Sequence, residues 1–124
     1  MSRAELALAT ALLLAGLLNA LPALGLLGQT QLRALYGLEV TDPSLRILLR
    51  HRALLFGLLG GAMIAAAFVP AWRAPLAGAG LLSMLGYVLI AGLEGGGNAA
   101  LLRVVWADGV ASLVLGATLI WNGL

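Results

Sequence analysis

Long stretches without a charged side chain, each at the length that crosses a bilayer, constrain this chain more than any other feature. The first runs from Leu6 to about Leu27, with Arg3 and Glu5 before it and Arg33 after it. About 20 apolar residues span a hydrocarbon core about 30 Å thick. A secretory leader also opens on an apolar run, but this run is long, an acid sits ahead of it and Pro22 spoils the small-residue cleavage pattern. It is therefore expected to be a membrane helix. Asn19 and Pro22 fall within it, and the polar groups they expose must be satisfied by neighbouring helices. That places it inside a bundle.

The second apolar run, Ala53 to Val69, is short, but Thr41-Asp42-Pro43 supplies an N-cap followed by proline at the first helical position. A helix from Pro43 to Val69 is roughly 40 Å long at 1.5 Å per residue. Its first turns, with Arg46, Arg50, His51 and Arg52, should then stand in the headgroup zone. The third run, Ala74 to Leu93, follows a connection from Pro70 to Pro75 whose two prolines should break the helix. The fourth, about Ala99 to Trp121, follows Glu94-Gly95-Gly96-Gly97-Asn98. Trp106 and Trp121 are about 22 Å apart along it, as a tryptophan at each membrane face requires. In the connection from Gly28 to Val40, helical spacing of Leu32, Leu35 and Tyr36 predicts a short interfacial helix closed by Gly37.

Composition agrees. With 62% hydrophobic and 10% charged residues in 124, a water-soluble domain could not bury its apolar surface. The expected fold is all-α: one transmembrane domain over residues 1–124, an up-down integral membrane four-helix bundle with spans at about 6–27, 43–69, 74–93 and 99–121. Seven scattered arginines form no basic stripe, which excludes nucleic acid as a partner. The absence of cysteine removes disulfides and thiolate chemistry. One histidine and scattered carboxylates compose no metal site, and no cofactor is expected. The Glu94–Asn98 loop lacks the lysine and hydroxyl of a phosphate-binding loop.

An even number of spans puts both termini on one face, here face A, with Arg3, Glu5 and Arg73. Face B holds the remaining charges. Five arginines against two favour face B in the cytoplasm. Small residues at helical spacing mark expected helix contacts: Gly57 with Gly61, Gly109 with Ser112 and Gly116, Ala79 with Ser83. Tyr87 lies mid-span and needs a hydrogen-bond partner, with Asn19 the one expected.

Chemistry concentrates on face B. A carboxylate within a span is costly unless partnered, so Asp108 should face inward and meet an arginine, Arg50 first and Arg103 as the alternative. The candidate site is a polar mouth of Arg46, Arg50, His51, Arg52, Asn98, Arg103 and Asp108 that receives an anionic headgroup or small amphiphile; a purely structural salt-bridge network accounts for the same residues. The leading functional expectation is a non-enzymatic protein that binds membrane lipid or a small amphiphile, or stabilises a larger membrane assembly. The alternatives are an enzyme acting on a quinone-like or lipid substrate with proton transfer by His51 and Asp108, and a small transporter that would need to be a homo-oligomer to enclose a pathway.

The segments Leu35-Tyr36-Gly37, Thr41-Asp42-Pro43, Leu48-Leu49-Arg50-His51-Arg52, Gly57-Leu58-Leu59-Gly60 and Asn98 through Asp108 resemble a family of small, uncharacterised four-span bacterial membrane proteins often labelled phosphopantetheine adenylyltransferase. More distantly, the architecture is similar to DoxX-like four-helix membrane proteins. The first resemblance covers nearly the whole chain and implies a multi-pass protein of the bacterial inner membrane. It brings no active-site residues. The activity in the label belongs to soluble α/β enzymes with a His-x-x-His-type motif, and this chain has one histidine.

Overall fold

A computed structural model describes residues 1–123. Five α-helices follow in chain order: α1 Arg3–Ala20, α2 Gln29–Tyr36, α3 Pro43–Phe68, α4 Pro70–Leu93 and α5 Ala99–Trp121. A 3-10 stretch, Leu21–Leu27, continues α1. Three of the four long helices, α1, α3 and α5, start at a side-chain cap. Ser2 accepts a hydrogen bond from Glu5 N at 3.1 Å, Asp42 from Ser44 N at 3.0 Å and Asn98 from Leu101 N at 2.9 Å, each satisfying an otherwise orphaned donor of a first turn. Four segments, Arg3–Leu27, Pro43–Phe68, Pro70–Leu93 and Ala99–Trp121, are long and apolar enough to cross a membrane. Their outward side chains are apolar too: Leu82, Leu113 and Ile120 are at least three-quarters exposed. Such surfaces are costly in water and at home in lipid, and length and composition together suggest an integral membrane protein.

The bundle is built around α1, which meets α3, α4 and α5. Its Leu8, Leu12 and Ala15 pack with Met63 and Ala66 of α3, Ala77 and Met84 of α4 and Leu115 of α5. A smaller cluster, Leu32, Tyr36 and Val40, seats α2 on the bundle beside Leu49 and Leu101. Gly37, at φ 66°, ends α2 as its spacing predicts, its N–H donating to Arg33 O at 2.8 Å. On face A, Asn122 Nδ2 donates to Ala4 O at 2.8 Å, which ties the two ends of the chain together.

Several local expectations are corrected. The α-helical hydrogen bonding of the first span stops at Ala20, because Pro22 supplies no N–H and the chain tightens into 3-10 geometry. The third span starts at Pro70 rather than Ala74. Pro70 lies within the first turn, where an N–H is not needed, and Pro75 removes one backbone bond near the helix end without breaking it. Only Val69 separates α3 from α4. The glycine seams also move. A Cβ at Gly60 would lie 2.5 Å from Ala20 N and Gly16 O, so α1 and α3 cross backbone to backbone there. Gly61, Gly109 and Gly116 meet nothing within 4 Å, because they point away from the crossings that their neighbours make. Tyr87 Oη is 3.4 Å from Leu101 O, while Asn19 Nδ2 donates within its own helix to Ala15 O at 2.8 Å. The Tyr87–Asn19 contact is absent.

Arg73 is buried, donating from Nη2 to Ala67 O at 2.9 Å, and its Nε has no protein acceptor. It stands at the C-terminal end of α3, where the exposed carbonyls favour a cation. Sequence reading places it among the charges of face A; its role in closing the α3–α4 hairpin appears only in three dimensions.

Candidate functional site

Of the seven residues expected to form one polar mouth, six divide between two recesses and Asn98 lines neither; on α3 the division arises because the helix turns about 100° per residue. Arg52, with Phe56 one turn on and Ala53 and Gly60 beside that line, faces the bundle. Arg46, Arg50 and His51 face outward and are exposed.

The inner recess is a cavity of about 340 Å³. Leu18, Asn19, Leu21 and Pro22 close one side and the end of α2, Ala34 to Tyr36, covers it. The opposite wall is α5, where Ala100, Arg103, Val104, Ala107 and Asp108 fall at helical spacing on a single face. Arg52 and Phe56 of α3 complete it. Its lining is mainly apolar, with Asn19, Tyr36, Arg52, Arg103 and Asp108 as the groups able to bond a ligand, which is the usual make-up of a small-molecule site.

Arg52 is held from several sides. Its Nη1 donates to Tyr36 Oη at 2.6 Å, and its guanidinium carbon lies 5.3, 4.6 and 5.7 Å from the ring centres of Tyr36, Phe56 and Tyr87. Cation–π attraction and the planar fork of arginine fix the group at the cavity edge. The ordering of α2 contributes, since Asn98 Nδ2 donates to Tyr36 O at 2.7 Å and anchors the start of α5 to the residue that holds Arg52. Asn98 is thus a support of the cavity rather than one of its walls.

Asp108 is 9% exposed. It borders the cavity, and among the described residues it has no hydrogen-bond or ion-pair partner; the ion pair found there is Arg33–Glu39, on the surface. The expected Asp108–Arg50 pair is not formed. Arg50 Nε donates instead to Leu26 O at 3.2 Å, on the other side of α3. Arg103 shares the cavity with Asp108 but is not within ion-pair distance. One turn further along α5, Ser112 is also buried, with an unpartnered hydroxyl. An unpaired carboxylate at this depth is expensive, and such groups typically mark functional positions in membrane helices.

The outer recess is a groove lined by Leu26, Pro43, Arg46, Ile47, Arg50, His51 and Leu54. His51 therefore does not share a site with Asp108. The aromatic side chains around Arg52 are the part of the arrangement that sequence reading missed. Phe56 at i+4 from Arg52 was the available signal; Tyr36 and Tyr87 come from other helices. No three or more His, Cys, Asp or Glu gather as a metal site among the described residues. Comparison of the chain with protein-family models, with curated proteins and with solved structures gave no match.

Proposed function

We propose that this is an integral membrane protein that binds a lipid or small amphiphile inside its helical bundle, without catalysing a reaction on it. The unpartnered Asp108 carboxylate on the wall of an apolar cavity carries this reading. The complementary molecule has an apolar body and a compact head that both donates and accepts hydrogen bonds. A hydroxyl or amine on the head satisfies Asp108, and Arg103 and the free N–H groups of Arg52 receive its acceptor. Separation of His51 from Asp108 removes the support for proton transfer between them, so the enzymatic alternative has no geometric basis of its own.

The protein is assigned by the same proposal to the family of small four-span proteins it resembles and to the bacterial inner membrane, with face B in the cytoplasm. Arginines engaged in the fold are poor topology signals; setting aside Arg33, Arg50, Arg52 and Arg73 leaves Arg46 and Arg103 on face B against Arg3 on face A. The bias keeps its sign.

Native mass spectrometry from mild detergent tests the binding reading. A small-molecule adduct is expected on the wild-type chain and is expected to be lost in Asp108→Leu, with the bundle still monodisperse and helical. An adduct retained in that variant, or a wild-type chain that carries none after purification from its own membrane, contradicts it.

A further inference from the structure

We infer that the outer groove on α3 is a second, separate binding site, selective for the phosphate-bearing headgroup of an anionic phospholipid. Three observations combine. First, Arg46, Arg50 and His51 line one groove, and no carboxylate lines it with them. The nearest acids in sequence are engaged elsewhere: Asp42 caps α3 through Ser44 N, and Glu39 pairs with Arg33. Second, Arg50 is pre-oriented. Its Nε bond to Leu26 O fixes the plane of the guanidinium and leaves both Nη groups without an acceptor among the described residues, as bidentate recognition of a phosphate requires. Third, the charges sit where they cost stability. Arg46 and Arg50 are like charges at i, i+4, and the acid at the start of α3, Asp42, has its carboxylate engaged in capping through Ser44 N. An anion bound in the groove reverses the sign of that contribution.

Depth and lining select a lipid over a free anion. α3 is 26 residues long, so at 1.5 Å per residue it measures about 39 Å, roughly 9 Å more than the hydrocarbon core. With its C-terminal end at face A, the excess of about six residues covers Pro43 to Leu48, which puts Arg46 at headgroup level and Arg50 at its lower edge. Ile47, between the two arginines, and Leu26, level with Arg50, give the groove apolar walls, and Leu54, one turn beyond Arg50, continues it deeper. Phosphate above and acyl chain below is the pattern of a phospholipid. The net charge of the groove favours an anionic headgroup over a zwitterionic one. This site does not depend on the Asp108 cavity.

The test is native mass spectrometry of the full chain in mild detergent, titrated with phosphatidylglycerol and with phosphatidylcholine of the same acyl chains, with and without millimolar inorganic phosphate. The wild-type protein is expected to prefer phosphatidylglycerol, and the preference should fall about fivefold for each arginine removed, in Arg46→Gln and again in Arg46→Gln with Arg50→Gln. Arg46→Gln alone removes no contact within the fold and serves if the double variant is unstable. Asp108→Leu should keep the preference, which separates this site from the cavity. Equal binding of the two lipids by the wild type, or a preference unchanged in Arg46→Gln, overturns the inference. Displacement of phosphatidylglycerol by inorganic phosphate assigns the groove to a free anion and overturns it as well.

Discussion

Asp108 is a residue whose cost and use have opposite signs. A buried carboxylate without a partner is a desolvation penalty, of about 1–3 kcal/mol for a polar group and more for a charge. Replacing it with an apolar side chain of similar volume is therefore expected to leave the empty protein equally or more stable, while abolishing the adduct in the cavity. Thermal unfolding in detergent of Asp108→Leu, read beside its mass spectrum, checks both; a loss of stability would show that Asp108 has a structural partner after all. Arg52 behaves in the opposite way. Tyr36→Phe removes one charge-assisted hydrogen bond but keeps the ring, and is expected to cost about 1.5–3 kcal/mol in the same unfolding measurement. Sequence spacing was enough to single out both residues as candidates. It could not tell Arg52 from Arg50 and His51, because all three satisfy the requirement for polar groups near a helix end. Only the direction of the α3 face, fixed by Gly60 against α1, decides which of them enters the bundle.

Among the elements, α1 and α3 form the most demanding contact. Gly60→Ala is expected to destabilise the bundle by about 1–3 kcal/mol through overpacking at the backbone crossing. Gly61→Ala, which meets open space, should be neutral or stabilising by up to about 1 kcal/mol. Unfolding midpoints of the two variants, compared side by side, test the crossing, and equal effects would refute it. One side chain, Asn98, both caps α5 and tethers the end of α2. Asn98→Ala removes the cap of α5 and the tether to Tyr36, and is expected to cost about 1–2 kcal/mol and to speed hydrogen exchange in α2. Three elements were legible with their ends: the Asp42 cap, the short helix closed by Gly37, and the last span. The prolines were misread in both directions. Pro22 shortened an α-helix expected to continue, and Pro70 and Pro75 sit inside a helix expected to start after them. Proline restricts φ and removes a donor, but its effect depends on whether that donor was needed, which is a property of the finished helix rather than of the residue.

At the scale of the molecule, fold class was legible because it rests on length and composition: four apolar segments can satisfy their backbones in lipid only as helices, and short connections leave only an up-down arrangement. The division of one polar cluster into two sites was not legible, since Arg50, His51 and Arg52 are neighbours on α3 that differ in azimuth around the helix, which the crossing with α1 decides. Everything proposed for either site requires that the helices cross a bilayer and that faces A and B lie on opposite sides of it. The native chain has no cysteine, so single cysteines introduced at exposed positions report sidedness without interference. Ser2→Cys and Ala71→Cys stand on face A; Thr41→Cys and Ala99→Cys stand on face B. In sealed vesicles of one orientation, a membrane-impermeant thiol reagent is expected to label one pair from outside and the other pair only after the vesicles are opened. Labelling of all four from the same side, or recovery of the chain as a monodisperse species in buffer without detergent, would contradict the account.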